Sequence, residues 1–166
     1  MSAHTNKGFT LIESLMVIAI MAILAANAVP SMRMAQANAR VKSAAGDIAN
    51  VMAAARSQAA GRQRSVSLKA ETGGWNKGWV MKFQVAITGV PDIAAHRGLP
   101  SSSVVTATPN ITELIFLPSG LVQKADGTAI TNVVFAVCDS SVAGESGRSV
   151  TLTRLGRTTT KANACT

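Results

Sequence analysis

The sequence predicts an α+β fold: one long N-terminal helix, then a β-rich head whose strands form a meandering antiparallel sheet. Three observations carry that expectation. A long, mostly apolar run lies near the N-terminus, an apolar stripe at three- and four-residue steps continues it, and short alternating runs take over from residue 64. The 166 residues have the length of one domain. Sixteen Lys and Arg against eight Asp and Glu give a formal charge of +8, which favours anionic partners such as nucleic acid, lipid headgroups or an acidic protein face. Plain solubility is the other reading of that charge.

The first element begins in "KGFTLIESLMVIAIMAILAANAVPSM". From Phe9 to Val29 it holds about 21 residues, enough to span a hydrocarbon core of roughly 30 Å at 1.5 Å per residue. That is too long for the apolar region of a secretory signal, and Lys7 is the one lysine before it. A plain membrane anchor fits the length but not Glu13, because a charged side chain inside a membrane costs on the order of 2.5–3.5 kcal/mol. After Val29, Pro30 is expected to kink or locally break the helix rather than end it. Beyond it Val41, Ala44, Ala45, Ile48, Met52, Ala55 and Ala59 form one apolar stripe, with Arg33, Arg40, Lys42 and Arg56 mostly off it, and Gly61 offers a stop. The whole helix is then about 50 residues and roughly 75 Å long.

The head follows from the strand signals. "RSVSLKA" alternates with Val66 and Leu68 on one face, and "GGWNKGWVMKFQVAI" carries Trp75, Trp79, Val80, Phe83, Val85 and Ile87 after a glycine-rich turn. "ITELIFLPSGLV", "NVVFAVCD" and "RSVTLTRLG" continue the series, while "TGVPDIAAHRGLPSSSVVTATPN" is expected to be a loop-rich connection. The two tryptophans are expected to anchor the core of the first hairpin, with a base-stacking role for Trp75 as the alternative.

Lys-Gly-Phe-Thr-Leu-Ile-Glu in "NKGFTLIESL" resembles the class III signal of type IV prepilins and type II secretion pseudopilins. The resemblance implies cleavage between Gly8 and Phe9 by a prepilin peptidase, N-methylation of Phe9, and recognition of Glu13 by neighbouring amines during filament assembly. A freed α-amine titrates near 7.7–8.0, so it can neutralise a carboxylate that low dielectric would otherwise penalise. "ARSQAAGRQRSVSL" running into "WNKGWVMKF", then "FLPSGLV" and "GRSVTLTRLGRT", is similar to the GspH/FimT family of minor pilins and pseudopilins. "FAVCDSS" and the closing "GRSVTLTRLGRTTTKANAC" resemble its FimU/FimT branch. The implied organisation is a leader at 1–8, a transmembrane and pilus-core segment at 9–29, the amphipathic half of the same helix at 30–62, and a head at 63–166 in a type IV pilin-like fold.

A head outside the cytoplasm meets an oxidising compartment, so Cys138 and Cys165 are expected to pair and pin the C-terminal tail to its strand; two free buried thiols are the alternative. A loop of about 28 residues closed this way contributes roughly 3–4 kcal/mol by chain entropy. No catalytic constellation is found. After cleavage His96 is the one remaining histidine, expected to be a solvated loop side chain, and the acids stand singly. "TGGWNKGW" lacks the P-loop and dinucleotide spacings, and neither cysteine has a metal-ligand spacing. An enzyme is the poorest reading, and no cofactor or metal is expected.

The basic residues point elsewhere. Arg148, Arg154, Arg157 and Lys161 crowd the end of the chain without an intervening acid, and Arg62 and Arg64 stand in "GRQR" at the helix end. FimT proteins that receive DNA in natural transformation resemble one another in a C-terminal Gly-Arg-x-Arg. Here "GRTT" keeps Gly156 and Arg157 but has Thr159 in place of the second arginine. The leading expectation is a minor pilin at or near the pilus tip that contacts other minor pilins and the major pilin, and primes or links assembly. Before assembly it would cross the inner membrane once with its head in the periplasm. DNA capture for uptake, or membership of a type II secretion pseudopilus, are the alternatives.

Overall fold

The computed structural model describes residues 9–85, 93–141, 144 and 146–165. One helix, α1 (Leu11–Arg62), covers 52 residues. Thr10 starts it: its Oγ1 accepts a hydrogen bond from the Glu13 N–H at 3.3 Å. Glu13 is the third helical residue, so Thr-Leu-Ile-Glu has the spacing of a capping box. The helix continues through Pro30, and on either side of it Asn27 Nδ2 donates to Ile23 O and Ser31 Oγ to Ala28 O, both at 2.9 Å. Gly61 is not the stop. The helix runs one residue past it and turns at Gln63, whose φ of 52° is left-handed and whose Nε2 donates to Ala60 O at 2.8 Å.

The chain divides into two compact units, Met1–Gln36 and Ala37–Thr166. In the first, every described side chain from Phe9 to Arg33 is exposed, and this part of α1 is long and apolar enough to cross a membrane. The second unit contains the core. There the expected stripe of Val41, Ala44, Ala45, Ile48, Met52, Ala55 and Ala59 is buried throughout, with Ala37 extending it by one turn.

Among the described residues nine strands follow: β1 (Val66–Ala70), β2 (Gly78–Phe83), β3 (Ala94–Arg97), β4 (Ser103–Thr108), β5 (Glu113–Phe116), β6 (Val122–Lys124), β7 (Asn132–Asp139), β8 (Ser146–Thr153) and β9 (Thr158–Ala164). They form two antiparallel sheets instead of one meander, in the orders β3-β2-β1-β5-β6 and β4-β7-β8-β9. The expected loop connection supplies two of the strands. β3 is Ala-Ala-His-Arg, with no apolar alternation, and its edge pairing with β2 holds it extended. β4 is β-branched enough to be a strand, but Pro and Ser on its N-terminal side disguise it. β9 was expected to be a tail and is an edge strand of exposed side chains paired along β8.

One apolar cluster joins the helix stripe to Val66, Leu68, Trp79, Phe116 and Val122 of the first sheet and to Phe135, Val150 and Leu152 of the second. Trp75, in a 3₁₀ turn before β2, links them, since its ring meets Phe135 edge-on at 5.0 Å and its Nε1 donates to Ile111 O at 2.7 Å. Val85 lies beyond β2 and is exposed, while Ile87 falls outside the described residues.

Candidate functional site

Three places carry chemistry: the start of α1, the tail anchored by cysteine, and a basic cleft in the head. Gly8 lies outside the described residues, so the expected cleavage junction is described on its Phe9 side only. Phe9 is 79% exposed, and Glu13 is exposed on the first helical turn. The Thr10 cap fixes the Glu13 backbone at the third helical position and leaves its side chain exposed.

Cys138 on β7 and Cys165 after β9 form a disulfide across 27 residues. Gly147 on β8 lies directly against the bridge. A Cβ there would collide with Cys165 Sγ and stand 3.1 Å from Cys138 Sγ, so the missing side chain makes the room the bridge occupies. Next to Cys138, the buried Asp139 carboxylate accepts from Arg40 Nε at 2.7 Å and from Ser102 Oγ at 3.0 Å, and Oδ1 accepts from the Ser141 N–H at 2.9 Å and the Ser141 hydroxyl. Burial opposes its ionisation, but the hydrogen bonds from Arg40 and Ser141, with a further one from Ser102, outweigh it. They hold the carboxyl well below the usual carboxylate range.

The expected basic residues do not gather on one surface. Arg148 on β8 shares its strand face with the buried Val150 and Leu152, whereas Lys161 pairs with Ser149 and lies on the opposite face of the same ribbon. Arg154 and Arg157 are exposed at the β8–β9 turn. The Arg154 backbone is tied on both sides, accepting from the Val122 N–H at 2.8 Å and donating to Thr131 O at 3.2 Å. Arg62 and Arg64 are exposed at the end of α1.

One cation missed in the sequence shares a cleft with Arg157. Arg56 of α1 and Arg157 line the same open cleft of about 510 Å³, which is also lined by the hydroxyl-bearing Ser57, Ser119 and Thr158. Arg56 passes close over two glycines at positive φ, Gly120 at 82° and Gly156 at 68°, in the β5–β6 and β8–β9 turns. A Cβ on Gly156 would stand 2.8 Å from Arg56 Cδ and 2.9 Å from Gly120 O. Helix periodicity places Arg56 off the buried stripe. No local pattern could show that two glycine turns 36 residues apart come together beneath it.

Two aromatic expectations change. Trp75 is 4% exposed and its N–H is already bonded, so it is no stacking platform for bases. His96 is not a solvated loop residue. It stands on β3, its ring lies flat on Trp79 with centroids 4.2 Å apart and planes 16° apart, and its Nε2 is 3.8 Å from Asp47 Oδ2. Among the described residues no group of three His, Cys, Asp or Glu could hold a metal ion.

The family model of the type II transport protein GspH matches residues 44–156, and the model of the prokaryotic N-terminal methylation motif matches residues 4–26. Among solved structures, the fold is similar to the type IV minor pilin FimU of Pseudomonas aeruginosa in two crystal forms. One has a TM-score of 0.60 at 23% identity, covering 76% of this chain and 95% of that one. The other has a TM-score of 0.58 at 24% identity, covering 75% and 99%. The minor pseudopilin EpsH from the type 2 secretion system of Vibrio cholerae is also similar, with a TM-score of 0.55 at 13% identity, covering 74% and 97%. At these identities the likeness is one of fold. Comparison with curated proteins gives no match.

Proposed function

Because this chain belongs to the family of the type II transport protein GspH, we propose that it is a minor pilin, a structural subunit that enters a type IV pilus at or near the tip and helps prime or link its assembly. The observation that carries this reading is the exposed, mostly apolar first part of α1, from Leu11 to Met32, with the single carboxylate of Glu13 set into its first turn. A segment of this kind has two environments that suit it, a lipid bilayer and a bundle of similar helices. The reading has a prepilin peptidase cutting between Gly8 and Phe9 and the new Phe9 amine becoming methylated. That amine, or a neighbour's, then neutralises Glu13 as the helix leaves the inner membrane for the filament core. The head, in the periplasm until then, meets other minor pilins and the major pilin.

The test is a strain carrying Glu13→Ala. Sheared pili should lack the subunit while the membrane fraction keeps it; incorporation at the normal level would refute the reading. Mass spectrometry of the membrane-extracted subunit should find a chain beginning at methylated Phe9.

A second reading, a minor pseudopilin of a type II secretion system, is favoured by the family match and by the fold shared with EpsH. Subunits co-purifying with the full chain separate the two: pilus components for the first, secretion components for the second. DNA capture draws less support, because Arg148 and Lys161 stand on opposite faces of the β8–β9 ribbon instead of forming one track with Arg154 and Arg157.

A further inference from the structure

Arg56 and Arg157 line a cleft to which the described residues bring no carboxylate. Among the described residues the ion pair made by an arginine is Arg40 with Asp139, and neither guanidinium in the cleft has a described carboxylate within ion-pair distance. Two like charges lining one open cleft make it attractive to an anion. Arg56 is exposed, and its side chain passes close over Gly156 and Gly120, where a Cβ would crowd it. The hydroxyls of Ser57, Ser119 and Thr158 add donors at the rim, and Ala53, Ala60 and Pro118 give the cleft apolar lining.

We propose that this cleft is a docking site for an acidic segment of a neighbouring filament subunit, with one of its carboxylates held between Arg56 and Arg157. Guanidinium forks match carboxylates in a planar, often two-bonded geometry, and the alanine and proline lining suits the methylenes of a glutamate and its neighbours. A second copy of this chain is the poorer occupant, since each carries a formal charge of +8 and has eight acids in all. A nucleic-acid strand is poorer too, because a polyanion follows a row of cations and this cleft is lined by two. The inference rests on the reading of the chain as a filament subunit.

The experiment uses the full chain in detergent micelles, isotopically labelled, titrated with a short alanine-rich peptide bearing two glutamates. Its glutamine counterpart and a single-stranded oligonucleotide serve as the other probes. The glutamate peptide should shift the amide signals of Arg56, Ser57, Gly120 and Thr158 in a saturable way, and the glutamine peptide should not. Arg157→Gln and Arg56→Gln should each weaken binding about tenfold, as loss of one charge-assisted contact predicts, while Lys161→Gln leaves it unchanged. Arg157 is exposed on a turn, so its variant stays informative if the Arg56 variant folds poorly. Equal binding of the glutamine peptide, shifts elsewhere on the head, or saturable binding of the oligonucleotide in preference to the glutamate peptide would overturn the proposal. Filament entry is read separately through Glu13→Ala. A chain that incorporates normally without Glu13 refutes the subunit reading, whereas one that behaves as expected there but ignores the glutamate peptide refutes the cleft alone.

Discussion

Arg40 on α1 donates through Nε to Asp139 Oδ2 at 2.7 Å, which ties the helix to the last residue of β7. The carboxylate is fully buried and the guanidinium is one-third exposed, so the two partners are unequal. Removing Arg40 strands a buried charge, while removing Asp139 leaves a cation that can reach water. Asp139→Asn should cost about 1–3 kcal/mol at neutral pH, the range for a buried polar group that loses its partners. The pH dependence has a definite sign. The folded carboxyl titrates below the ordinary value of about 3.9, so ionised Asp139 stabilises the head fully above that value. The contribution fades as pH falls from about 4 toward the folded pKa, because the unfolded chain takes up its proton first. Thermal melts of the wild type and Asp139→Asn should therefore differ by a constant amount between pH 5 and 7 and converge below about pH 4. A gap that widens in acid would contradict this assignment.

Gly147→Ala tests the bridge without touching a cysteine. Its Cβ would overlap Cys165 Sγ, so the variant should carry free thiols under oxidising conditions that fully oxidise the wild type, as a maleimide mass shift would reveal. Reduction of the wild type should cost about 3–4 kcal/mol by chain entropy. The loss should fall first on β9, an edge strand with few apolar anchors, and hydrogen exchange at Thr159 to Ala162 should then rise well before exchange in β7.

Much of this was legible in the sequence, and the exceptions have a common physical cause. The stripe from Val41 to Ala59 was readable because a helix packed on one side repeats with a fixed period. β1, β2, β7 and β8 were readable because their alternating residues face one core. The edges were not. β3 and β9 bury almost none of their side chains, so nothing in Ala-Ala-His-Arg or Thr-Thr-Thr-Lys demands a strand until a neighbour offers its hydrogen bonds. Division into two sheets was hidden for a similar reason, since both sheets present the same alternation to one core. At the site, the cysteine pair followed from compartment chemistry. The cleft shared by Arg56 and Arg157 depends on two turns converging, which only the folded chain displays.

Gly156→Ala should destabilise the head although it adds one methyl group. The residue stands at φ 68°, where a side chain is strained, and the new Cβ would press on Arg56 Cδ and the Gly120 carbonyl. A loss above about 1 kcal/mol is expected from the backbone conformation by itself. Gly127 is the control: its φ is 84° but a Cβ there meets nothing within 4 Å, so Gly127→Ala should lose the conformational part only. Equal destabilisation in urea titrations would show that packing at Arg56 contributes nothing.

His96→Ala should uncover the face of Trp79 on which the imidazole now lies. The head should keep its fold, because His96 stands on an edge strand and Trp79 remains held by the core below. Tryptophan emission should shift to the red and iodide quenching should increase. His96→Phe, which keeps a flat ring over the indole, should restore the wild-type spectrum. Failure of phenylalanine to do so would assign the effect to the polar edge of the imidazole, 3.8 Å from Asp47, and not to stacking.

The proposed pairing of Glu13 with an amine can be separated from a part in starting the helix, and one pair of variants does so. Thr10 Oγ1 accepts the Glu13 N–H, a bond that survives any change of the Glu13 side chain. Glu13→Gln keeps the length and the capping-box geometry, since Gln serves that position as well as Glu, but it cannot neutralise an amine. Thr10→Ala does the reverse, removing the cap at a cost of about 1 kcal/mol while leaving the carboxylate. If pairing with an α-amine drives entry into a filament, Glu13→Gln should fail to incorporate and Thr10→Ala should incorporate nearly as well as the wild type. If the residue serves to start the helix, the order reverses. Immunoblots of sheared filaments and of the membrane fraction, read side by side, decide between them.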